Sequence, residues 1–184
     1  MTILNRAESF LVIVDVQEKL MPVIDDHESV ERNLDRLIRG GHILDIRAVV
    51  TEQYTKGLGH TVPRLRTTLE ATFGYEPIEK LTFSAFGCVE FVAVVRNLHR
   101  KQAIVAGIET HVCVYQTVRD LLANGFDVTV IADAVSSRTQ ANRETALRRM
   151  VSAGAKLSST EMALFELTGV SGTDEFREIA RLVR

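Results

Sequence analysis

Strand-length apolar runs alternate along this chain with segments whose apolar residues recur at helical spacing, and that alternation limits the possible folds more than any other feature. Phe10-Leu11-Val12-Ile13-Val14-Asp15-Val16, Arg47-Ala48-Val49-Val50-Thr51-Glu52, Gln102-Ala103-Ile104-Val105-Ala106 and Asp127-Val128-Thr129-Val130-Ile131-Ala132-Asp133 are continuous in β-formers. Strands buried on both faces of a parallel sheet have that character. Pro77-Ile78-Glu79-Lys80 and Ala155-Lys156-Leu157 read as two further short strands, the second at an edge. Between them the spacing predicts helices over 28–44, loosened or broken at Gly40-Gly41, over 63–69 opened by Pro63, and over 89–99 with Phe91, Val92, Val95 and Leu98 inward. A helix after Cys113 carries Val114, Val118, Leu121 and Leu122 up to Gly125. Further helices fall over 140–152, with Ser137 and Gln140 as a capping box, and over 159–167, with Ser158 and Glu161 as another. Thr173 caps a last helix through Leu182. Such a β–α alternation predicts one three-layer α/β/α domain over 1–184, with a mostly parallel sheet of about six strands.

Composition narrows the function classes. At 184 residues, 46% apolar and 25% charged, the chain suits one soluble domain with a substantial core. A formal charge of −2 and the lack of a basic run predict no nucleic-acid partner. No apolar run approaches membrane-spanning length. The opening residues, Met1 to Glu8, lack a signal-peptide layout, and two cysteines fit a reducing cytoplasm. The Gly-bearing loop Gln53-Tyr54-Thr55-Lys56-Gly57-Leu58-Gly59-His60 is no GxGxxG and opens no evident helix, so no dinucleotide cofactor is expected.

Chemistry concentrates in Ala106-Gly107-Ile108-Glu109-Thr110-His111-Val112-Cys113-Val114, where a strand gives way to a helix. Free amides and the helix dipole favour a thiolate there, and the same amides can receive an oxyanion. The residue is equally readable as a small apolar filler. Asp15 closes a central strand, where open α/β sheets bind ligands, although an aspartate there also serves as a cap. Lys80 ends another strand and is by itself readable as a surface charge. Tyr54, Phe83 and Phe86 suit either a pocket wall or, respectively, surface and core. Gln17 and Leu20 lie in the loop after Asp15, with Pro22 keeping it out of a regular helix. Cys88 reads as structural, and Asp133, beside a hydroxyl-rich turn, as a loop organiser. Asp15, Lys80 and Cys113 all fall at carboxyl ends of strands, so one crevice can collect a base, an electrostatic partner and a nucleophile.

Taken in order, Leu11-Val12-Ile13-Val14-Asp15-Val16-Gln17, Lys80-Leu81-Thr82-Phe83-Ser84-Ala85-Phe86, Gly107-Ile108-Glu109-Thr110-His111-Val112-Cys113-Val114 and Ala132-Asp133-Ala134-Val135-Ser136-Ser137-Arg138 resemble the isochorismatase-like cysteine hydrolase superfamily. Within it, the last two are most similar to the isochorismatase domain-containing protein 2 group. The resemblance implies strand order 3-2-1-4-5-6 and a triad of Asp15 as base, Lys80 as electrostatic partner and Cys113 as nucleophile. It also implies a cis peptide between Ile108 and Glu109, an oxyanion hole of the Glu109 and Cys113 amides, and contacts to substrate from Gln17, Leu20, Tyr54, Phe83, Phe86 and Thr110. A small-molecule substrate and a homo-oligomer follow from the same likeness.

Metal-dependent members carry Asp-x-His after the second strand. Here Glu52-Gln53-Tyr54 stands there, with His60 alone beyond it, so no zinc is expected. Amide or ureide hydrolysis is the reading favoured by Cys113. Vinyl-ether hydrolysis and a non-catalytic binding protein are the alternatives; a phosphoacceptor role for Asp15 lacks the acidic neighbours it needs.

Overall fold

The computed structural model describes residues 3–184; Met1 and Thr2, part of the stretch read for a leader, lie outside the described residues. The strands are β1 (Ser9–Val14), β2 (Ala48–Gln53), β3 (Ile78–Lys80), β4 (Gln102–Ile108), β5 (Asp127–Ser136) and β6 (Lys156–Ser158). They form one sheet in the order β3-β2-β1-β4-β5-β6, and every pairing is parallel. The helices are α1 (His27–Ile43), α2 (Thr55–Leu58), α3 (Pro63–Thr72), α4 (Val89–Asn97), α5 (Tyr115–Ala123), α6 (Gln140–Ser152), α7 (Thr160–Thr168) and α8 (Asp174–Leu182).

Side chains alternate across each strand, so β1 feeds two cores. Leu11 and Ile13 join Leu34 and Ile38 of α1, Leu65 of α3, Leu164 of α7 and Ile179 of α8 on one face. Phe10, Val12 and Val14 join Phe91 of α4, Val118 and Leu121 of α5 and Met150 of α6 on the other. Every residue of β1 and β4 is buried, which explains their unbroken runs of β-formers. The chain order reverses between β1 and β4, and the crevice of a doubly wound sheet opens at their carboxyl ends.

Four local expectations need correction. Helix α1 runs unbroken through Gly40-Gly41, and the bare Cα of Gly40 serves packing, since a Cβ there would lie 2.4 Å from Leu164 Cδ2. The short segment Thr55–Leu58 is helical. Strand β5 continues to Ser136, past the turn expected at Ala134, because a register shift against β4 between Val105 and Gly107 lengthens it. Arg143 braces that irregularity by donating to the Val135 and Ala132 carbonyls. The caps of α6 and α7 are Thr139 and Ser159, which accept from the Asn142 and Met162 amides, rather than Ser137 and Ser158. Asp133 does organise its loop, accepting from the amide and hydroxyl of Thr160 at 2.8 and 2.9 Å. Among the described residues, no helix is long and apolar enough to cross a membrane.

Candidate active site

Register delivers the acid. Val14, the last residue of β1, pairs with Thr51 of β2 on one side and Gly107 of β4 on the other. The chain then turns at Asp15, whose φ is 52°, a left-handed conformation that aspartate tolerates better than most side chains. Asp15 is fully buried. One carboxylate oxygen accepts from the Thr51 hydroxyl at 2.7 Å, and the other accepts from Lys80 Nζ at 2.7 Å.

Lys80 reaches this point because Gln53, at the end of β2, pairs in register with it at the end of β3. Its ammonium lies among four oxygens: Asp15 Oδ2, Gln53 Oε1 at 2.8 Å, and the Phe83 and Thr82 carbonyls at 3.1 and 3.2 Å. Both side chains of this ion pair are wholly inaccessible. Leaving either charge buried without the other is costly, so the pair holds as a unit.

The sulfur comes from the other side of the switch point. After β4 the peptide between Ile108 and Glu109 is cis, and a π-helical turn, Thr110–Val114, leads into α5. Cys113 lies in this turn, 6% exposed, near enough to Asp15 and Lys80 for both charges to act on its thiol. Burial, then the Asp15 charge, push the thiol well above its usual range, and Lys80 pulls it back by less. The helix-terminus reasoning of the sequence, which favours thiolate, is thus overridden by desolvation and a neighbouring carboxylate. The resting group is therefore a thiol, with a carboxylate beside it.

Two side-chain bonds strap the turn to the end of β5. Glu109 accepts from Arg138 Nε at 2.8 Å, and His111 Nδ1 lies 3.0 Å from the Ser137 hydroxyl. The Thr110 hydroxyl is buried and has no protein partner among the described residues.

The other expected contact residues divide. Tyr54 and Phe83 stand in solvent, 51% and 53% exposed. Phe86 is half-buried and packs edge-on against Phe91 and Phe126, with ring centroids 6.1 and 6.0 Å away, so it belongs to the core's margin. Leu20 packs on the opposite core. Gln17 is fully buried, and its donors are spent on the Gln53 and Gly59 carbonyls. Cys88 is half-buried and free, with Sγ 3.9 Å from the Glu79 carbonyl.

Thr51 and Gln53, which hold the acid and the lysine, do not stand out in the sequence on their own. A signal for them is nevertheless present: Thr51-Glu52-Gln53 is a polar ending on a strand that is otherwise alanine and valine, and all three are buried. Glu52 serves a neighbouring cluster. Its carboxylate accepts from Tyr75, from the Thr61 amide and hydroxyl at 2.6 and 2.9 Å, and lies 3.1 Å from His60 Nδ1. Both oxygens of that carboxylate are therefore engaged.

Comparison with known proteins gives a consistent picture. The isochorismatase domain family matches residues 9–162. The secreted isochorismatase effector Isc1 of Phytophthora sojae is 37% identical over 96% of this chain and 84% of its own length. Isochorismatase domain-containing protein 2 of Danio rerio is also 37% identical, over 98% of this chain and 89% of its own. Among solved structures, that of a Caenorhabditis elegans protein described as MAR1 ribonuclease superposes with a TM-score of 0.89 at 38% identity, covering 99% of this chain and 92% of that one. YcaC from Pseudomonas aeruginosa, solved with hexane-2,5-diol and covalent acrylamide, gives 0.88 at 25% identity over 99% and 96%.

Proposed function

The chain belongs to the isochorismatase family, a family of hydrolases, and from that premise we propose that it cleaves a C–N bond of a small amide or ureide through a thioester on Cys113. The observation that carries the proposal is the wholly buried Asp15–Lys80 ion pair, 2.7 Å across, whose charges both act on the neighbouring Cys113 thiol.

In this mechanism Asp15 takes the thiol proton as sulfur attacks the carbonyl carbon. The oxyanion is received by the backbone amides of Glu109 and Cys113, a pair of donors worth about a hundredfold or more in rate each. Collapse breaks the C–N bond, and the departing nitrogen collects the proton from Asp15. Water then attacks the thioester, giving its proton to the same carboxylate; the C–S bond breaks, and Asp15 returns the proton to sulfur. Lys80 offsets the negative charge that would otherwise keep the thiol protonated. Tyr54 and Phe83 supply apolar rim, which suits a small, partly apolar substrate.

The YcaC structure from P. aeruginosa carries a covalent acrylamide, an amide-bearing electrophile, and the same type of reactivity is expected of this chain. The C. elegans protein is described as a ribonuclease; a formal charge of −2 gives this chain no net attraction for a phosphate backbone. One observation favours a second reading, a binding protein on the hydrolase scaffold: Cys113 is a buried residue, only 6% exposed.

A panel of small amides, ureides and vinyl ethers decides between them. Turnover by the wild type should fall on the order of a thousandfold or more in Cys113→Ala and persist in Cys88→Ala, with a thioester adduct visible by mass spectrometry. Equal turnover in Cys113→Ala overturns the covalent route, and no turnover with no adduct favours the binding protein. We also take the protein to act as a homo-oligomer in a reducing compartment, since Leu81, Phe83 and Val89 leave large apolar side chains in solvent beside the site and both cysteines are free thiols. Sedimentation velocity at micromolar concentration should give a species larger than a monomer.

A further inference from the structure

The buried polar residues between β1, β2 and β3 do more than fill space. A lysine only donates and the Leu81 carbonyl only accepts, so the orientation of the Gln53 carboxamide is fixed: its oxygen faces Lys80 Nζ at 2.8 Å and its nitrogen donates to Leu81 at 2.8 Å. The backbone of Gln53 is clamped in turn. Gln17 Oε1 accepts from the Gln53 amide at 2.7 Å, while Gln17 Nε2 donates to the Gln53 carbonyl at 3.0 Å and to the Gly59 carbonyl at 2.6 Å. Gln17 lies two residues beyond Asp15, so this chain of bonds closes a loop from acid to lysine through two neutral amides.

We propose that Gln53 is a positioning residue of the reaction centre, holding the Lys80 ammonium against Asp15, with Gln17 fixing Gln53. The proposal rests on the cysteine-hydrolase reading and extends it to two residues that touch neither sulfur nor substrate. A neutral acceptor is the chemically apt choice. A carboxylate at this place would divide Lys80 between two anions and leave Asp15 freer to oppose ionisation of the thiol. An apolar residue would leave the ammonium with Asp15 and two longer carbonyl contacts, at 3.1 and 3.2 Å.

The test is the rate of alkylation of Cys113 by iodoacetamide at neutral pH, followed by peptide mass spectrometry, with Cys88 in the same molecule as internal reference. In the wild type Cys113 should react faster than Cys88 despite its burial and raised thiol, because Asp15 takes the proton as the sulfur attacks. Gln53→Met, of similar volume but without an acceptor, and Gln53→Asn, an amide one methylene too short, should each slow Cys113 by on the order of tenfold, the equivalent of one hydrogen bond to a charged group. A merely structural role predicts the opposite sign, because loosening the site exposes a buried thiol and speeds its alkylation. If wild-type Cys113 is the faster thiol and neither variant that folds is slower, the positioning role is overturned while the nucleophile stands. If wild-type Cys113 is no faster than Cys88, the nucleophile assignment falls and takes this role with it.

Discussion

A carboxylate beside a thiol raises the thiol's proton affinity and also offers the proton a destination, and at Cys113 these two effects can be separated. Asp15 is the second-largest cause of the upward push on the thiol, after burial. Asp15→Asn removes that charge and leaves Lys80 nearby, so the Cys113 thiol should ionise at lower pH than in the wild type, read as thiolate ultraviolet absorbance. Turnover should nevertheless fall by about a thousandfold, within the usual range for loss of a general base, because an amide cannot carry the proton to the leaving nitrogen. Retained turnover would remove Asp15 from the mechanism. The placement of Asp15, Lys80 and Cys113 at one end of the sheet is legible in the sequence because each stands at or just past the end of a recognisable strand, and strand ends face the crevice in this fold class. The partners Thr51 and Gln53 are not, because their role depends on which strands lie side by side. The pairings Val14 with Thr51 and Gln53 with Lys80 are properties of the sheet order.

Two glycines show how the same residue type serves different elements. Gly107 in β4 has φ +122°, and a Cβ there would sit 2.2 Å from the Val14 carbonyl oxygen, on the backbone that leads directly into Asp15. Gly107→Ala meets both a forbidden conformation and an immovable neighbour, and should cost about 2–4 kcal/mol in chemical denaturation. Gly40 lies within a helix, and its obstacle is the end of the Leu164 side chain. There the gain of about 1 kcal/mol in helix propensity offsets the repacking of Leu164, so Gly40→Ala should stay within about 1 kcal/mol of the wild type. A larger loss at Gly40 than at Gly107 would contradict this account. In the sequence Gly40-Gly41 reads as a helix breaker, because composition alone does not tell a glycine that ends a helix from one that lets another helix approach. The caps of α6 and α7 escape the sequence for a simpler reason. Ser137 and Thr139, like Ser158 and Ser159, offer hydroxyls near the same helix start, and only backbone geometry selects between them.

At the scale of the whole molecule, the Glu52 cluster sets limits on the pH range of stability. It joins the end of β2 to the segments on both sides of α3, through Thr61 before the helix and Tyr75 after it. Burial would push the Glu52 carboxyl up, but the bonds from Tyr75, Thr61 and His60 outweigh it and hold the group below its usual range. A depressed carboxyl contributes stability that is present above its unfolded value, near about 4.3, and lost as pH falls through the folded one. Tyr75 is pushed up to about 12, by burial and then by Glu52. A raised phenol contributes stability below its unfolded value, near about 10, and loses it as pH rises toward the folded value. Tyr75→Phe deletes the shared bond without deleting the ring. It should therefore be less stable than the wild type by about 1–2 kcal/mol at neutral pH, the cost of leaving a buried acceptor short of a donor. The gap should close on both sides: in acid as Glu52 takes up a proton, and in alkali as the unfolded wild type gains by ionising Tyr75. Denaturant midpoints at about pH 4, 7 and 11 test all three arms against those reference values. A difference that stays flat across the series would mean that the ring's packing, and not its bond to Glu52, is what Tyr75 contributes.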